Sequence, residues 1–411
     1  MANPFYLGMD LDDDNAVVSF FQLNMREPET VSTVAGSEMF QIPMLIAKRS
    51  DLGQWYIGDE SRKLMLQQKD TGAGKLLSRA LRREKVFVDG EKYPAEDLLM
   101  LYLKKLIYLA GSLGNPTAPD VLVISLNVIS REAIKLFADI APRLGLLADQ
   151  IMLVDRKESF YYFAYNQPRD LTLHDVCLFD YREGKVSCCR LERNMRTTPQ
   201  MVSLTEQTHG MTGENREERD ASFLQILTEC ITGHIVSSVY LVGDGFEGNW
   251  MKQSVSFMCR GRRAFMGKNL YSKGACYAAA VRRGGMEWPY IYIGDSEMKV
   301  NVSLKVRNGN KTEFYTLISA GDNWYETVGE CEVILDGSPE IDFWLQLPES
   351  REAKLEKLQL VDLPERPNKT TRLRIVAKAL SDKKVKVLIK DMGFGELFKT
   401  SEKVWEYVMS C

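Results

Sequence analysis

Asp10, Asp12 and Asp14 stand at alternate positions near the amino terminus, with Asp13 inside the run and Asn15 closing it. Alternating carboxylates of this kind open calcium loops, because several oxygens must converge on one hard cation. Here Asn15 takes the place of the turn glycine and Phe21 that of the closing glutamate, which leaves an adventitious divalent ion at most and no expected metal site. Gly72-Ala-Gly-Lys75 imitates a phosphate-binding loop, yet the glycine required five positions before Gly74 is missing and Leu76 stands where a hydroxyl must hold magnesium. The eight cysteines are scattered without a C-x-x-C pair, only Cys188 and Cys189 being adjacent, and read as free buried thiols. His174, His209 and His234 share no motif spacing, which leaves metal-hydrolase and Ser-His chemistry short of parts. Trp324, Tyr325, Phe343 and Trp344 offer a peptide groove, although aromatics in alternating strands more often fill a core.

The elements that position these groups follow from composition and periodicity. A chain of 411 residues exceeds one compact core, so at least one domain boundary is expected. Apolar residues at 45% and charged residues at 27% are near the globular average, which excludes disorder as the dominant state. A net charge of -3 gives no long-range pull toward nucleic acid. No basic segment precedes an apolar stretch at the start and no run of about 18 apolar residues occurs, so a soluble, cytoplasmic protein without a membrane partner is expected. Phe5 to Leu11 and Ala16 to Leu23 read as a hairpin around the acidic turn, followed by strands at Val31 to Ala35 and Gln54 to Gly58. Tyr93-Pro94 opens a buried helix. Val121 to Ile124 is a covered parallel strand, Ser130 caps the next helix, and Ile151 to Val154 is a second such strand before the aromatic segment Ser159 to Tyr165. Val176 to Phe179 and Val186 to Leu191 repeat the hairpin. A solvated excursion is expected over 194–218, a helix through Phe223 to Ile231, a strand from Val239 to Val242 stopped at Gly243-Asp-Gly245, and a helix over Lys273 to Ala280. Beyond Arg282 six short alternating strands predict a separate all-β module over 289–411.

This order of elements resembles the actin, sugar-kinase and heat-shock ATPase superfamily, and most of all the seventy-kilodalton heat-shock chaperones. Gly8-Met-Asp-Leu-Asp-Asp-Asp-Asn15 stands where that family has its first phosphate loop, and Ile57 to Lys63 resembles the segment after it. Val88 to Glu96 is similar to the start of the long first-lobe helix, Asp120 to Ile124 with Ser130 to Leu146 to the strand and helix before the interlobe connection, and Tyr240 to Gly245 to the adenosine loop. The resemblance implies a two-lobed actin-like (ribonuclease-H-like) α/β domain over 1–285, with lobes of about 1–165 and 166–285, followed by a β-sandwich that resembles a chaperone peptide-binding domain. It further implies a nucleotide site lined by Asp10, Asp12, Asn15, Asp180, Gly184, Lys185, Gly243 and Gly245, and a protein or peptide partner for the β domain.

The departures decide the expected activity. The family's first loop uses a glycine and two hydroxyls on phosphate, where this chain has Asp12, Asp13 and Asp14. A carboxylate about 4 Å from a phosphate oxygen costs on the order of 4 kcal/mol at an effective dielectric near 20, so ATP with magnesium is disfavoured. The second loop, Asp180-Tyr-Arg-Glu-Gly-Lys185, gains two cations, and Arg182 or Lys185 is expected to pair with Asp12 to Asp14 in the place of phosphate. Phe160, Tyr161 and Tyr162 replace small residues and are expected to fill the cleft at the helix crossing. Only 62 residues lie between Asp180 and Gly243, so the upper second lobe is expected to be reduced. The expected function is chaperone-like binding or scaffolding by a pseudo-ATPase without catalytic residues. The alternatives are a nucleotide-binding protein with slow or no hydrolysis, and a protein similar to haloacid-dehalogenase-type phosphatases. In the latter Asp10 is nucleophile and Asp12 general acid, with Ser125 and Asp244 following in order.

Overall fold

The computed structural model describes all residues except 1, 2, 35, 50, 69, 70, 114 and 117. The chain divides into two compact units, one of residues 1–192 and 204–288, the other of residues 193–203 and 289–411. The first opens with the hairpin β1 (Phe5–Leu11) and β2 (Asn15–Gln22) and the short strand β3 (Glu29–Thr30). A smaller set follows: β4 (Ile42–Pro43), β5 (Leu45–Arg49), β6 (Gln54–Ile57), α1 (Gly58–Gln67), β7 (Gly72–Gly74), α2 (Leu76–Leu81), β8 (Lys85–Val88) and β9 (Glu91–Pro94). Then come α3 (Ala95–Gly111), β10 (Val121–Leu126), α4 (Arg131–Ile140), β11 (Ile151–Asp155) and α5 (Arg156–Tyr165). The sheet runs β11-β10-β1-β2-β3, with β10 and β11 parallel to β1 and β2 antiparallel to it. All seven residues of β1 are buried, as a central strand covered on both faces must be. Ser130 caps α4 by accepting the Ala133 amide, as its place before the apolar face predicts.

The next stretch repeats this plan. Strands β12 (Asp175–Arg182), β13 (Lys185–Asn194) and β14 (Gln200–Gly210), helix α6 (Arg216–Ile231), β15 (Val236–Val242), α7 (Gln253–Met258), β16 (Arg263–Met266) and α8 (Leu270–Arg282) give the sheet order β16-β15-β12-β13-β14. Again a hairpin's first strand takes two parallel strands on its other side. The β12–β13 turn places Glu183 at φ 48° and Gly184 at φ 74°, the paired positive dihedrals that two-residue hairpin turns use. Gly184 serves this turn. Helix α6 lays Phe223, Ile226, Leu227 and Cys230 on Cys177, Phe179, Val186 and Cys188 of the sheet.

Several expectations are corrected. Residues 200–210 form a strand rather than a solvated excursion; Glu206, Gln207 and Thr208 are exposed on it, so it lacks the apolar alternation that marks half-buried strands. The strand expected at Val31 to Ala35 is absent over Val31 to Val34, the short β3 preceding it, and Ala35 lies outside the described residues. The helix crossing of α5 and α8 is made by Ser159 and Gly274, where a Cβ on Gly274 would lie 1.9 Å from the Ser159 carbonyl oxygen. Phe160 instead packs edge-on to Tyr240, and Tyr161 and Tyr162 pack on Trp288. The bulky rings therefore leave the crossing to the smallest side chains, one residue turning about 100° on a helix.

The second unit adds β17 (Tyr290–Ile293), β18 (Asn301–Asn308), β19 (Lys311–Ile318), β20 (Val328–Ile334), β21 (Glu340–Gln346), β22 (Ala353–Gln359), β23 (Arg372–Ser381), β24 (Lys384–Gly393) and β25 (Val404–Ser410). Within it Gln200 to Ser203 pair in parallel with Tyr290 to Ile293, an association across the chain that local pattern could not predict. Two four-stranded sheets, β19-β18-β21-β22 and β20-β23-β24-β25, enclose one core that includes Phe343, Ile375, Val387 and Trp405. Among the described residues no helix is long and apolar enough to cross a membrane.

Candidate functional site

Asp10 and Asp180 occupy equivalent places in the two similar sheets, each near the end of the strand that starts a hairpin and pairs in parallel on its other side. Carboxyl ends of parallel strands are where α/β folds gather ligand groups. Here side chains of the protein itself meet. Arg156, the first residue of α5, donates from Nε to Asp10 Oδ1 at 2.7 Å and from one terminal nitrogen to Asp10 Oδ2 and Asp12 Oδ2, each at 3.0 Å. Arg182 donates to the same Asp12 Oδ2 at 3.0 Å and to Asp180 Oδ1 at 2.9 Å. The Tyr271 hydroxyl donates to Asp180 Oδ2 at 3.0 Å, and the Arg156 guanidinium lies 5.3 Å from the Tyr271 ring centre. Three carboxylates, two guanidinium groups and one phenol thus form a closed circuit.

The turn is held from within. Asp12 Oδ1 accepts the amides of Asp14 and Asn15 at 3.0 and 2.7 Å, an Asx turn that fixes the acidic loop. Asp13 accepts the Ser78 amide at 2.9 Å. Burial raises the Asp10 carboxyl above its ordinary range, and the attraction of Arg156 offsets this only in part. Burial also works against ionised Asp12, yet Arg156 and the Asn15 amide hold it below the ordinary value. Burial, with Asp180 beside it, keeps Tyr271 protonated well above the usual phenol range. Arg156 is desolvated too, but Asp10 keeps it charged.

The remaining space is small. A cavity of about 30 Å³ lies against Asp10, Asp12, Asn15, Arg182, Lys268 and Tyr271. That is room for water, against roughly 300 Å³ or more for a drug-sized ligand. Gly243, at φ 96°, and Gly245 let their loop close on Tyr181: added Cβ atoms would lie 2.4 Å from the Tyr181 carbonyl oxygen and 2.2 Å from its ring. The two glycines therefore admit Tyr181.

Of the predicted site residues, Asp10, Asp12, Asn15, Asp180 and Gly243 come together around this cavity or its ion pairs. Gly245 packs on Tyr181, and Gly184 belongs to the exposed turn. Lys185 is exposed and, among the described residues, makes no ion pair, so of the two cations expected to meet the acidic run only Arg182 does. Of the residues of the phosphatase reading, Asp10, Asp12 and Asp244 line this one cavity and Ser125 is the β10 register partner of Asp10, although Asp10 is held by Arg156, Ser125 by the Ser159 hydroxyl at 3.0 Å, and Asp244 by Gln41 at 3.2 Å. Sequence reasoning missed Arg156 and Tyr271. The usable signal for Arg156 was its place right after a covered parallel strand, in a segment otherwise aromatic.

In the second unit the two sheets part along β19, β18 and β21 on one side and β20 and β23 on the other, leaving a groove of about 1150 Å³. Leu304, Val306, Val333, Leu335, Ile341 and Ile375 supply its apolar lining. None of the four aromatic residues that offered a groove lines it: Phe343 is fully buried, as the core reading of alternating aromatics has it, and Trp344 packs edge-on to Phe314.

A family model described as "Family of unknown function (DUF5716) C-terminal" matches residues 27–295, more than half of the chain. The chain belongs to the DUF5716 family. A second model, "Domain of unknown function (DUF8552)", matches residues 297–411. No curated protein matches. In this DUF5716 member the matched segment includes Arg156, Arg182 and Tyr271, whereas Asp10 and Asp12 precede it.

Proposed function

We propose that this protein is a chaperone-like binding or scaffolding protein: a two-lobed actin-like region whose nucleotide cleft is closed by its own ion pairs, joined to a β-sandwich that takes an extended protein segment. The observation that carries this reading is Arg156. Its guanidinium spans Asp10 and Asp12, so cations of the chain stand where a nucleotide's magnesium and phosphates would have to enter. Removing one member of such a buried pair costs about 3–5 kcal/mol, which a nucleotide would have to offset before gaining affinity. The same obstacle weighs against nucleotide binding without hydrolysis and against the phosphatase reading. The groove between β19 and β20 supports the binding role, because both strands are sheet edges with unpaired backbone groups over an apolar floor. Free cysteines throughout agree with work in the reducing cytoplasm, and the net charge of -3 argues against nucleic acid.

Two measurements test this. Thermal-shift titration with MgATP and MgADP is expected to leave the melting temperature unchanged; a rise that grows with nucleotide concentration overturns the closed cleft. Fluorescence anisotropy with labelled extended apolar peptides is expected to show binding that Val333→Lys abolishes. Equal affinity in that variant overturns the groove.

A further inference from the structure

Beneath helix α6 three thiols and an imidazole line up. Cys177 on β12 and Cys188 on β13 face the helix from the sheet, and Cys230 comes down from α6. Cys188 neighbours both Cys177 and Cys230 within this one core. On its other side the Cys230 sulfur lies 3.6 Å from His209 Nε2, and His209 Nδ1 lies 3.7 Å from Glu229 Oε2. Gln207 Oε1 is 4.0 Å from the sulfur, and Arg190 donates to the Cys230 carbonyl oxygen at 3.2 Å. A nucleophile beside a base that a third group orients is the arrangement of activated cysteines. Among the described residues no three of these groups converge tightly enough to share an ion, so they form a relay and not a metal cage.

Buried cysteines usually act as small apolar residues. Two facts set Cys230 apart. Neighbouring Cys188, together with His209, brings the Cys230 thiol down to about 7 against the effect of burial, while Cys188 is held up as the protonated partner. In addition, Cys230 is 2% exposed but its sulfur meets His209, whose side chain is 23% exposed, so the pair reaches the surface through the imidazole.

We propose that Cys230 is a peroxide-reactive nucleophile and Cys188 its resolving thiol. The Cys230 sulfur attacks a hydroperoxide oxygen; the S–O bond forms, the O–O bond breaks, and the thiol proton passes by way of His209 Nε2 to the departing alkoxide or hydroxide. Cys230 is now a sulfenic acid. The Cys188 sulfur then attacks it, the S–S bond forms, and the hydroxyl leaves with the Cys188 proton as water. Two electrons pass from the sulfur pair to the peroxide, and thiols reverse the product. The disulfide ties α6 to β13.

The test treats the full chain with hydrogen peroxide and maps cysteines by mass spectrometry. A Cys188–Cys230 linked peptide that dithiothreitol removes is expected, and Cys188→Ser accumulates a dimedone-trapped sulfenic acid at Cys230. His209→Gln lowers Cys230 alkylation at pH 7 several-fold, without changing labelling of the exposed Cys259. Oxidation confined to Cys259, or dimedone adducts at Cys230 no more frequent in Cys188→Ser than in the unaltered chain, overturns the proposal. So does alkylation indifferent to His209.

Discussion

Asp10 with Arg156 and Asp391 with Arg366 are the same two-pronged bond in different surroundings. Arg366 reaches Asp391 at 2.8 and 2.7 Å, much as Arg156 reaches Asp10, and all four side chains are at most a tenth exposed. Asp391 also accepts the Gly393 and Ser401 amides, each at 2.9 Å, and the Ser401 hydroxyl at 2.6 Å. Against burial, Arg366 and these donors hold its carboxyl far below the usual range, whereas burial pushes Asp10 up and its Arg156 hydrogen bonds, with the charge of Arg182, offset this only in part. A buried carboxylate is stabilised by how many donors surround it more than by one counter-ion. Asp391 is a structural knot at the end of β24. Asp10 is an under-served group in a cleft, the kind of residue a fold retains at a site.

The largest expected effect separates the two pairs. Asp391→Ala leaves Arg366 buried without its counter-ion, with only the Lys399 carbonyl to accept from it, and three further donors unmet, a loss of about 3–5 kcal/mol. Asp10→Asn leaves Arg156 with Asp12 and removes a burial penalty, so about 1 kcal/mol is expected from one charged hydrogen-bond pair weakened. Guanidinium unfolding followed by tryptophan fluorescence measures both. Equal losses would show that donor number does not distinguish them.

Acid should act on the two with opposite sign. The lowered Asp391 contributes stability that is present above the ordinary carboxylate value of about 4 and is lost as pH falls through its lower folded value. The raised Asp10 contributes stability that is present below about 4 and is lost as pH rises through its higher folded value. Relative to the unaltered chain, Asp10→Asn should therefore do better at pH 7 than at pH 4, by about 1.4 kcal/mol for each tenfold that folding raises the proton affinity of Asp10. Asp391→Asn should lose its disadvantage only below about pH 4. Unfolding curves across that range decide, and a common sign for both variants refutes the comparison.

This contrast also marks what could be read from residues alone. The hairpins, α3, the covered strands and the Ser130 cap follow from local apolar spacing, and each stands where that spacing put it. Asp10, Asp12, Asp180 and Arg182 were legible as charges on two similar turns. Arg156 and Tyr271 were not, because nothing local says that the first residue of α5 and the second of α8 turn toward one cleft. The relay around Cys230 was hidden for the same reason: His209 and Cys230 lie 21 residues apart and meet only when α6 settles on the sheet. The donors of Asp391 likewise come from turns after β24 that local pattern reads as backbone geometry alone.

Asp180 offers a third point on the scale of donors. It accepts from Arg182, two residues away and 40% exposed, and from the buried Tyr271 hydroxyl. Its arginine is partly hydrated, so the phenol is the contact whose loss should be felt. Tyr271→Phe keeps the ring under Arg156 and deletes only the hydroxyl, an expected cost of about 0.5–1.5 kcal/mol. Because the Asp180 side chain is 18% exposed and can recruit water, the value should fall at the lower end, below either Asp391→Ala or a double Tyr271→Phe, Asp10→Asn variant. Additivity in that double variant would mean that the circuit is a chain of independent contacts. A shortfall or excess of more than about 0.5 kcal/mol would mean that Arg156, which touches both partners, couples them.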